Sequence, residues 1–402
     1  MSELYELPNG WEWMRLSDIG RISTGKTPPK ANKEFYENGT IRFVKPPNLQ
    51  NSPNITYTLS DEFITSDGAK KSTLLPKNSL MVCCIGSLGK FALSDEEVVT
   101  NQQINSISLN GSLVLYKFAY YYAFNFEKLL NEVANEAVVK IVNKSIFSNL
   151  NIPLPPLTEQ QRIVEKLDQL FEKIDKAIAL HQKNIDEADA FMGSALNEVF
   201  GELEERQYPK HQLSHFDKKM SAGGTPLRSQ KEYWDNGIYD WFSSGELNQK
   251  YTFPSNEKIS QKGLDNSSAK LFTKGTLLIG MYDTAAMKMS ILTDDGSCNQ
   301  SIVGFKPNED ELSLIFTLYQ LQYLKKEILE QRKGVRQQNL NLSKIKAIEI
   351  TYPPLTVQQK VVIYLDDLSD KIERVKAVQK EKMDSLKALK ASILDGAFRG
   401  EL

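Results

Sequence analysis

The chain has 402 residues, too many for one ordinary domain and enough for two or three. Hydrophobic residues make up 41% and charged residues 25%, which excludes wholesale disorder, a collagen-like chain and a coiled coil throughout. The net charge of −2 and a pI near 6.1, taken over the whole chain, argue against a nucleic-acid binder, which usually carries a basic excess.

No apolar run reaches the roughly 18 residues of a membrane helix. The most apolar stretch, Leu113 to Phe126, is broken by Lys117 and rich in tyrosine. The N-terminus, MSELYELPNG, has no basic-then-apolar leader pattern. Cys83, Cys84 and Cys298 cannot form a disulfide framework, so a reducing, cytoplasmic location is expected.

Residues 1–150 hold short apolar runs such as TIRFV and SLMVCCIG, broken by Gly, Pro, Asn and Asp. This pattern predicts short strands with a few helices, a mixed α/β globule. Near its start, Gly20 to Thr27 (GRISTGKT) matches the phosphate-loop string. That motif needs a helix running on from the Lys-Thr, and here Pro28-Pro29 follows at once. The expectation is instead a turn with exposed backbone N–H groups able to touch a phosphate.

Residues 151–206 open with NIPLPPLTEQQRIVEKLDQL and predict a long helix. Thr158-x-x-Gln161 fits a capping box, and the prolines before it disfavour helix upstream. Apolar residues at Ile163, Leu167, Leu170, Ile174 and onward to Val199 follow the three-and-four spacing of a coiled-coil seam. Residues 207–350 form a second mixed globule, with TLLIGMY and QSIVGF as strands. Residues 351–402 form a second long helix: Thr356-x-x-Gln359 repeats the cap, and Leu365, Leu368, Ile372 and Val375 begin a seam running through Met383, Leu386, Leu389 and Ile393. Each helix is expected to run for about 40 residues, or about 60 Å.

The halves are copies. Slid by 198 residues, PPLTEQQRIVEKLDQL lies over PPLTVQQKVVIYLDDL without a gap. KEFYENGTIRFV lies over KEYWDNGIYDWF, TGKTP over AGGTP, and Asn101-Gln102 over Asn299-Gln300. One offset holding in several regions identifies a tandem repeat of about 200 residues. The heptad places His181 and Gln379, also 198 apart, near the middle of the two helices. A polar seam residue can fix register, or the side chain can turn to solvent. If the helices pack antiparallel, these two residues meet in one central layer; a parallel pair satisfies the seam equally.

Enzymatic chemistry finds no foothold. The second copy has Gly224 in place of Lys26, so a shared role does not need that lysine. His211 and His215 could sit on one helical face, but no third ligand cluster accompanies them, and no metal is expected. No GxSxG or HExxH is present, and Lys45-Pro46-Pro47-Asn48 lacks the order of an amino-methyltransferase loop. What remains is recognition. Net charge by segment is 0 for 1–150, −6 for 151–206, +3 for 207–350 and +1 for 351–402. The first helix holds the acidity, and the globules are neutral to basic. Within them, basic residues mix with amides: Lys26 and Lys30; Lys45 and Asn48; Lys70 and Lys71; Lys140 and Asn143; and Arg336, Gln337, Gln338 and Asn339. Lysine and arginine hold phosphates, and arginine, asparagine and glutamine read base edges.

The doubled Pro-Pro-Leu-Thr-x-Gln-Gln helix start, the GKTP and GGTP turns and the terminal AFRGEL resemble the specificity subunits of Type I restriction–modification systems, over essentially the whole chain. The resemblance implies an α+β architecture: two mixed α/β target-recognition globules, separated by two long antiparallel coiled-coil helices, with the internal two-fold repeat at offset 198. Each globule would read one half of a bipartite site in double-stranded DNA. The helices would set the spacer, with Leu167, Leu170, Ile174 and His181 of the first helix and Leu365, Leu368, Ile372 and Gln379 of the second as the seam residues. Two methyltransferase subunits and two restriction–translocase subunits would join. The chain itself would catalyse nothing and hold no cofactor, its partners using S-adenosylmethionine, ATP and magnesium. The turns at Lys26-Thr27 and Gly224-Thr225, with Arg228, would lie near DNA. Two rival readings are a coiled-coil adaptor binding proteins only and a phosphate-loop nucleotidase.

Overall fold

A computed structural model describes residues 5–51, 62–134, 139–330 and 340–402. The chain divides into two compact units, Met1–Leu180 with Lys382–Leu402, and His181–Glu381.

In the first unit, strand Glu12–Arg15 pairs antiparallel with Asn151–Leu154, with Trp13 opposite Pro153. Residues 151–154 therefore belong to the globule's own sheet, and the long helix begins only at Leu157. A four-stranded antiparallel sheet has the order Gly20–Thr24, Ile104–Leu109, Leu80–Cys83, Phe91–Leu93. A second sheet has the order Phe63–Ile64, Ile41–Val44, Val98–Thr100, Leu74–Leu75, its central pair parallel with Phe43 opposite Val99. Leu80–Cys83 is buried at every position, as its unbroken apolar run implies. Phe43, Phe91, Phe118, Phe126 and Phe147 fill the core.

The second unit repeats this plan. Lys210–Gln212 pairs with Glu349–Thr351, and Gly296–Cys298 lies parallel to Tyr239–Phe242. Most of its elements fall 198 residues after their counterparts. An exception is the helix Gln261–Asp265, which follows Ser66–Ala69 by 195.

The long helices run Leu157–Glu205 and Leu355–Arg399, 49 and 45 residues, both longer than the seam predicts. In each unit a stretch of one packs antiparallel on a stretch of the other. Lys390 bonds Asp175 at 2.8 Å in the first unit, and Lys376 bonds Asp189 at 2.8 Å in the second. Within each unit the partner's number falls as the residue number rises, from Asp175 to Arg162 between Lys390 and Leu402 and from Asp189 to His181 between Lys376 and Gln379, which is the antiparallel signature. Leu167, Ile174, Leu365 and Ile372 are buried, and Leu170 and Leu368 pack half-buried against the cores. Val375 (46% exposed) and Leu389 (49%) depart from the predicted seam and face outward. His181 Nδ1 lies 2.5 Å from Gln379 Oε1, so the polar pair is a seam layer and not a solvated edge.

The expected capping box is not formed. Pro156 O accepts Glu159 N–H at 2.9 Å and Gln160 N–H at 3.0 Å, so the helix starts ahead of Thr158. Gln161 turns outward and bonds Glu165 at 2.8 Å.

Candidate nucleic-acid interface

The turn after the first sheet strand is the same in both units. Gly25 is required there, because a Cβ would stand 2.2 Å from Asn101 O; at Gly223 it would stand 2.2 Å from Cys298 O. Gly25 N–H donates to Ile104 O at 3.0 Å and Lys26 N–H to Thr100 O at 2.9 Å. Gly223 N–H donates to Ile302 O at 3.0 Å and Gly224 N–H to Cys298 O at 2.9 Å. These four donors are spent inside the fold. These N–H groups are therefore not among those the turn could offer to a phosphate. No helix follows Lys26, which removes the phosphate-loop geometry.

Thr27 Oγ1 donates to Gln102 Oε1 at 2.6 Å, and Thr225 Oγ1 donates to Gln300 Oε1. Both glutamines are exposed, and each keeps its amide NH2 for an outside acceptor. Their signal in the sequence is the Asn-Gln pair recurring at the repeat offset. Beside the first turn, Lys26 N–H also reaches Ser72 Oγ at 3.1 Å, which places Lys70 and Lys71 close by in the chain. Lys26, Lys30, Lys70 and Lys71 are all exposed; Lys70 pairs with Asp67 at 2.7 Å. The Lys26–Ser72 bond thus joins the first turn to the segment that carries Lys70 and Lys71.

Others have structural roles. Asn48 is 3% exposed and caps its own turn through Lys45 N–H at 2.8 Å, so it is not available to read a base. Lys45 is half-buried and paired with Glu62. Asn143 caps the helix Lys144–Ser148, accepting Ile146 N–H at 2.9 Å. Lys140 bonds Asn131 at 2.8 Å. Gly224 is buried, its carbonyl accepting Trp241 Nε1–H at 3.0 Å. Arg228 is held by Glu257 and lies 3.9 Å over the Trp234 ring. Arg336, Gln337, Gln338 and Asn339 lie outside the described residues.

Each unit anchors its globule to a long helix in the same way. Gln160 Oε1 accepts Leu115 N–H at 2.8 Å, and its Nε2 donates to Leu113 O at 2.9 Å and Pro155 O at 2.8 Å. Gln358 repeats this with Ser313 N–H at 2.9 Å and Pro353 O at 2.9 Å. Asp168 accepts the Tyr121 hydroxyl at 2.5 Å and Lys117 at 2.6 Å. Asp366 accepts the Tyr319 hydroxyl at 2.5 Å and Lys250 at 2.6 Å. Burial, reinforced by the carboxylate, raises the pKa of both tyrosines, so both remain protonated donors.

The remaining reactive groups are quiet. All three cysteines are buried, and burial pushes the Cys84 thiol up to about 12, far from a nucleophile. His211 and His215 stack on each other at 4.5 Å against Phe216. Among the described residues no group of three His, Cys, Asp or Glu side chains could hold a metal, and no helix is long and apolar enough to cross a membrane.

Comparison with known proteins agrees with this architecture. The Type I restriction modification DNA specificity domain profile matches residues 8–187 and 216–382, once in each unit. The Type I restriction enzyme HindI specificity subunit of Haemophilus influenzae is 33% identical over 170 residues, 42% of this chain and 37% of that protein. The MjaIX specificity subunit of Methanocaldococcus jannaschii is 22% identical over 432 residues, 100% of this chain and 95% of that protein. The chain thus spans little more than a third of the first relative and nearly all of the second. Two solved structures share the fold. One, from work on complex assembly and conformational transition of the type I R-M system, has a TM-score of 0.74 at 22% identity, covering 99% of this chain and 100% of that one. The other, the HsdS subunit from Thermoanaerobacter tengcongensis, has a TM-score of 0.51 at 21% identity, covering 100% and 99%. With both units matched, the chain belongs to the Type I restriction modification DNA specificity domain family.

Proposed function

We propose that this chain is the sequence-specific DNA-recognition subunit of a Type I restriction–modification complex, and that it is not itself a catalyst. Each unit reads one half of a bipartite site, and the two long helices set the spacer between the halves. The observation that carries this reading is the duplicated turn. In both units a threonine holds an exposed glutamine at one place on otherwise divergent surfaces, and in the first unit the exposed Lys26 precedes that threonine. A fixed amide that can donate and accept suits a base edge, and flexible lysines suit phosphates.

Two methyltransferase subunits dock on the helices and bring S-adenosylmethionine; two restriction–translocase subunits use ATP and magnesium, in the cytoplasm. Supporting this, Ile363 (71% exposed), Phe191 (58%) and Tyr364 (50%) leave apolar surface uncovered on the helical part of the second unit.

The test is equilibrium DNA binding with the methyltransferase partner present. Affinity is expected to depend on sequence and to fall with salt at a log–log slope of about −0.9 per phosphate contact. A flat salt response without sequence preference contradicts the proposal.

A further inference from the structure

The two copies differ beside the second long helix. The second unit has an open cavity of about 250 Å³, lined by Leu247, Lys250, Met287, Lys288, Gln322 and Lys325 among others. In the first unit aromatic rings stand at the matching positions. Phe91, at the position of Met289, packs edge-on against Phe124 at 4.9 Å and Tyr120 at 5.6 Å. Phe124 stands where the second unit has Gln322, and Glu127 where it has Lys325. The second unit has thus exchanged rings for an open notch and an acidic residue for a basic one.

Among the described residues the charge in the notch is only partly compensated. Lys250 is neutralised by Asp366 at 2.6 Å. Lys288 donates only to the neutral Asn248 amide, at 2.8 Å. Lys325 is half-buried and has no ion pair among the described residues. Burial, and then the nearby Lys288, disfavour its charge and lower its pKa. Two ammonium groups facing one cavity repel unless an anion lies between them.

The turn that delivers Lys288 is itself strained. Met287 sits at φ +57°, a left-handed conformation costly for a side chain of this size. The first unit places Gly89 there, at φ +81°. The second unit thus holds its lysine on a turn that glycine would relax.

We propose that this notch is an anion site for a single phosphate group, held by Lys288 and Lys325 with the amides of Asn248 and Gln322 as further partners. The volume falls below the 300 Å³ and more of cofactor-sized pockets, which suits one phosphate group and not a whole cofactor. The phosphate is either free or part of the DNA backbone, and the second source rests on the recognition role proposed above. The first unit keeps Lys90 at the place of Lys288 but has Glu127 at the place of Lys325, so the two units would hold such a ligand unequally.

The experiment uses the full chain, the Lys288→Gln single variant, the Lys288→Gln/Lys325→Gln double variant, and Lys90→Gln as the matching control in the first unit. One arm measures melting temperature with inorganic phosphate against chloride at equal ionic strength. A free-phosphate site gives a phosphate-specific rise in the parent and in Lys90→Gln, abolished in the double variant and reduced in the single. The other arm measures the salt dependence of duplex DNA binding. A backbone-phosphate site makes the double variant's log–log slope shallower by about 0.9, with Lys90→Gln unchanged. If the double variant melts cooperatively and differs from the parent in neither arm, the notch is not a phosphate site. A parent chain that binds DNA without sequence preference counts against the recognition role alone, and the phosphate arm still decides the notch.

Discussion

Gln358 accepts the backbone N–H of Ser313 at 2.9 Å, and 198 residues earlier Gln160 accepts that of Leu115 at 2.8 Å. Both glutamines are fully buried where a long helix meets its globule. Each also donates to the proline carbonyl just before the helix, closing the junction from both sides. Replacing Gln358 with alanine leaves buried backbone groups without partners. Chemical denaturation is expected to show a loss of about 2–4 kcal/mol. Gln359→Ala, one residue on and exposed, should cost less than about 0.5 kcal/mol and is the control.

The His181–Gln379 layer gives a coupling prediction. Either residue changed alone to leucine removes the bond between them; without Gln379 both His181 and Asn184 lose a partner, while without His181 Gln379 keeps only the 3.3 Å contact to Asn184. Each single variant should melt below the parent. The double leucine variant should recover to the parent or above it, with a double-mutant coupling of about 1 kcal/mol. Additive losses would place the two side chains apart.

Stability at high pH follows from the buried tyrosines. The Tyr120 hydroxyl donates to Asn51 O at 3.0 Å, and burial first, then Asp175, pushes its pKa up to about 12. The unfolded group titrates near 10, so the folded state holds the proton more tightly. This contribution is intact below pH 10 and is lost as pH rises from 10 through 12. Melting temperature should therefore be insensitive to this group up to about pH 9.5 and fall above it. The fall should be shallower in Tyr120→Phe.

The exposed apolar residues Ile363 and Phe191 carry no stability in the free chain. Changing both to serine should alter the unfolding free energy by less than about 0.5 kcal/mol each. The same double variant should lose retention of the methyltransferase partner in co-purification at matched expression. Full retention would place the docking surface elsewhere.

Much of this was legible in the sequence because the chain states it twice. The 198 offset located both helix starts, the two turns and the polar seam pair. Periodicity failed at the helix margins. Val375 and Leu389 fit the heptad but face outward, because burial there depends on which neighbour covers the face. The capping box failed because Pro156 already supplies the first acceptor, leaving Gln161 free for Glu165. At the candidate surface, residue type marked basic and amide side chains but not their burial. Asn48 and Asn143 read as base readers and are caps. Gln102 and Gln300 read as repeat markers and are exposed amides. The notch at Lys325 left no motif, since it arises from rings that the second copy lacks.

The central claim is that each unit reads its own half-site. It is tested most directly by replacing residues 207–350 with a second copy of residues 1–150, expressing this chain with its methyltransferase partner, and mapping methylated adenines in the host DNA. The account predicts that the second unit's half-site is lost and that the first unit's half-site stands on both sides of the spacer. Methylation at the original asymmetric sequence would contradict it.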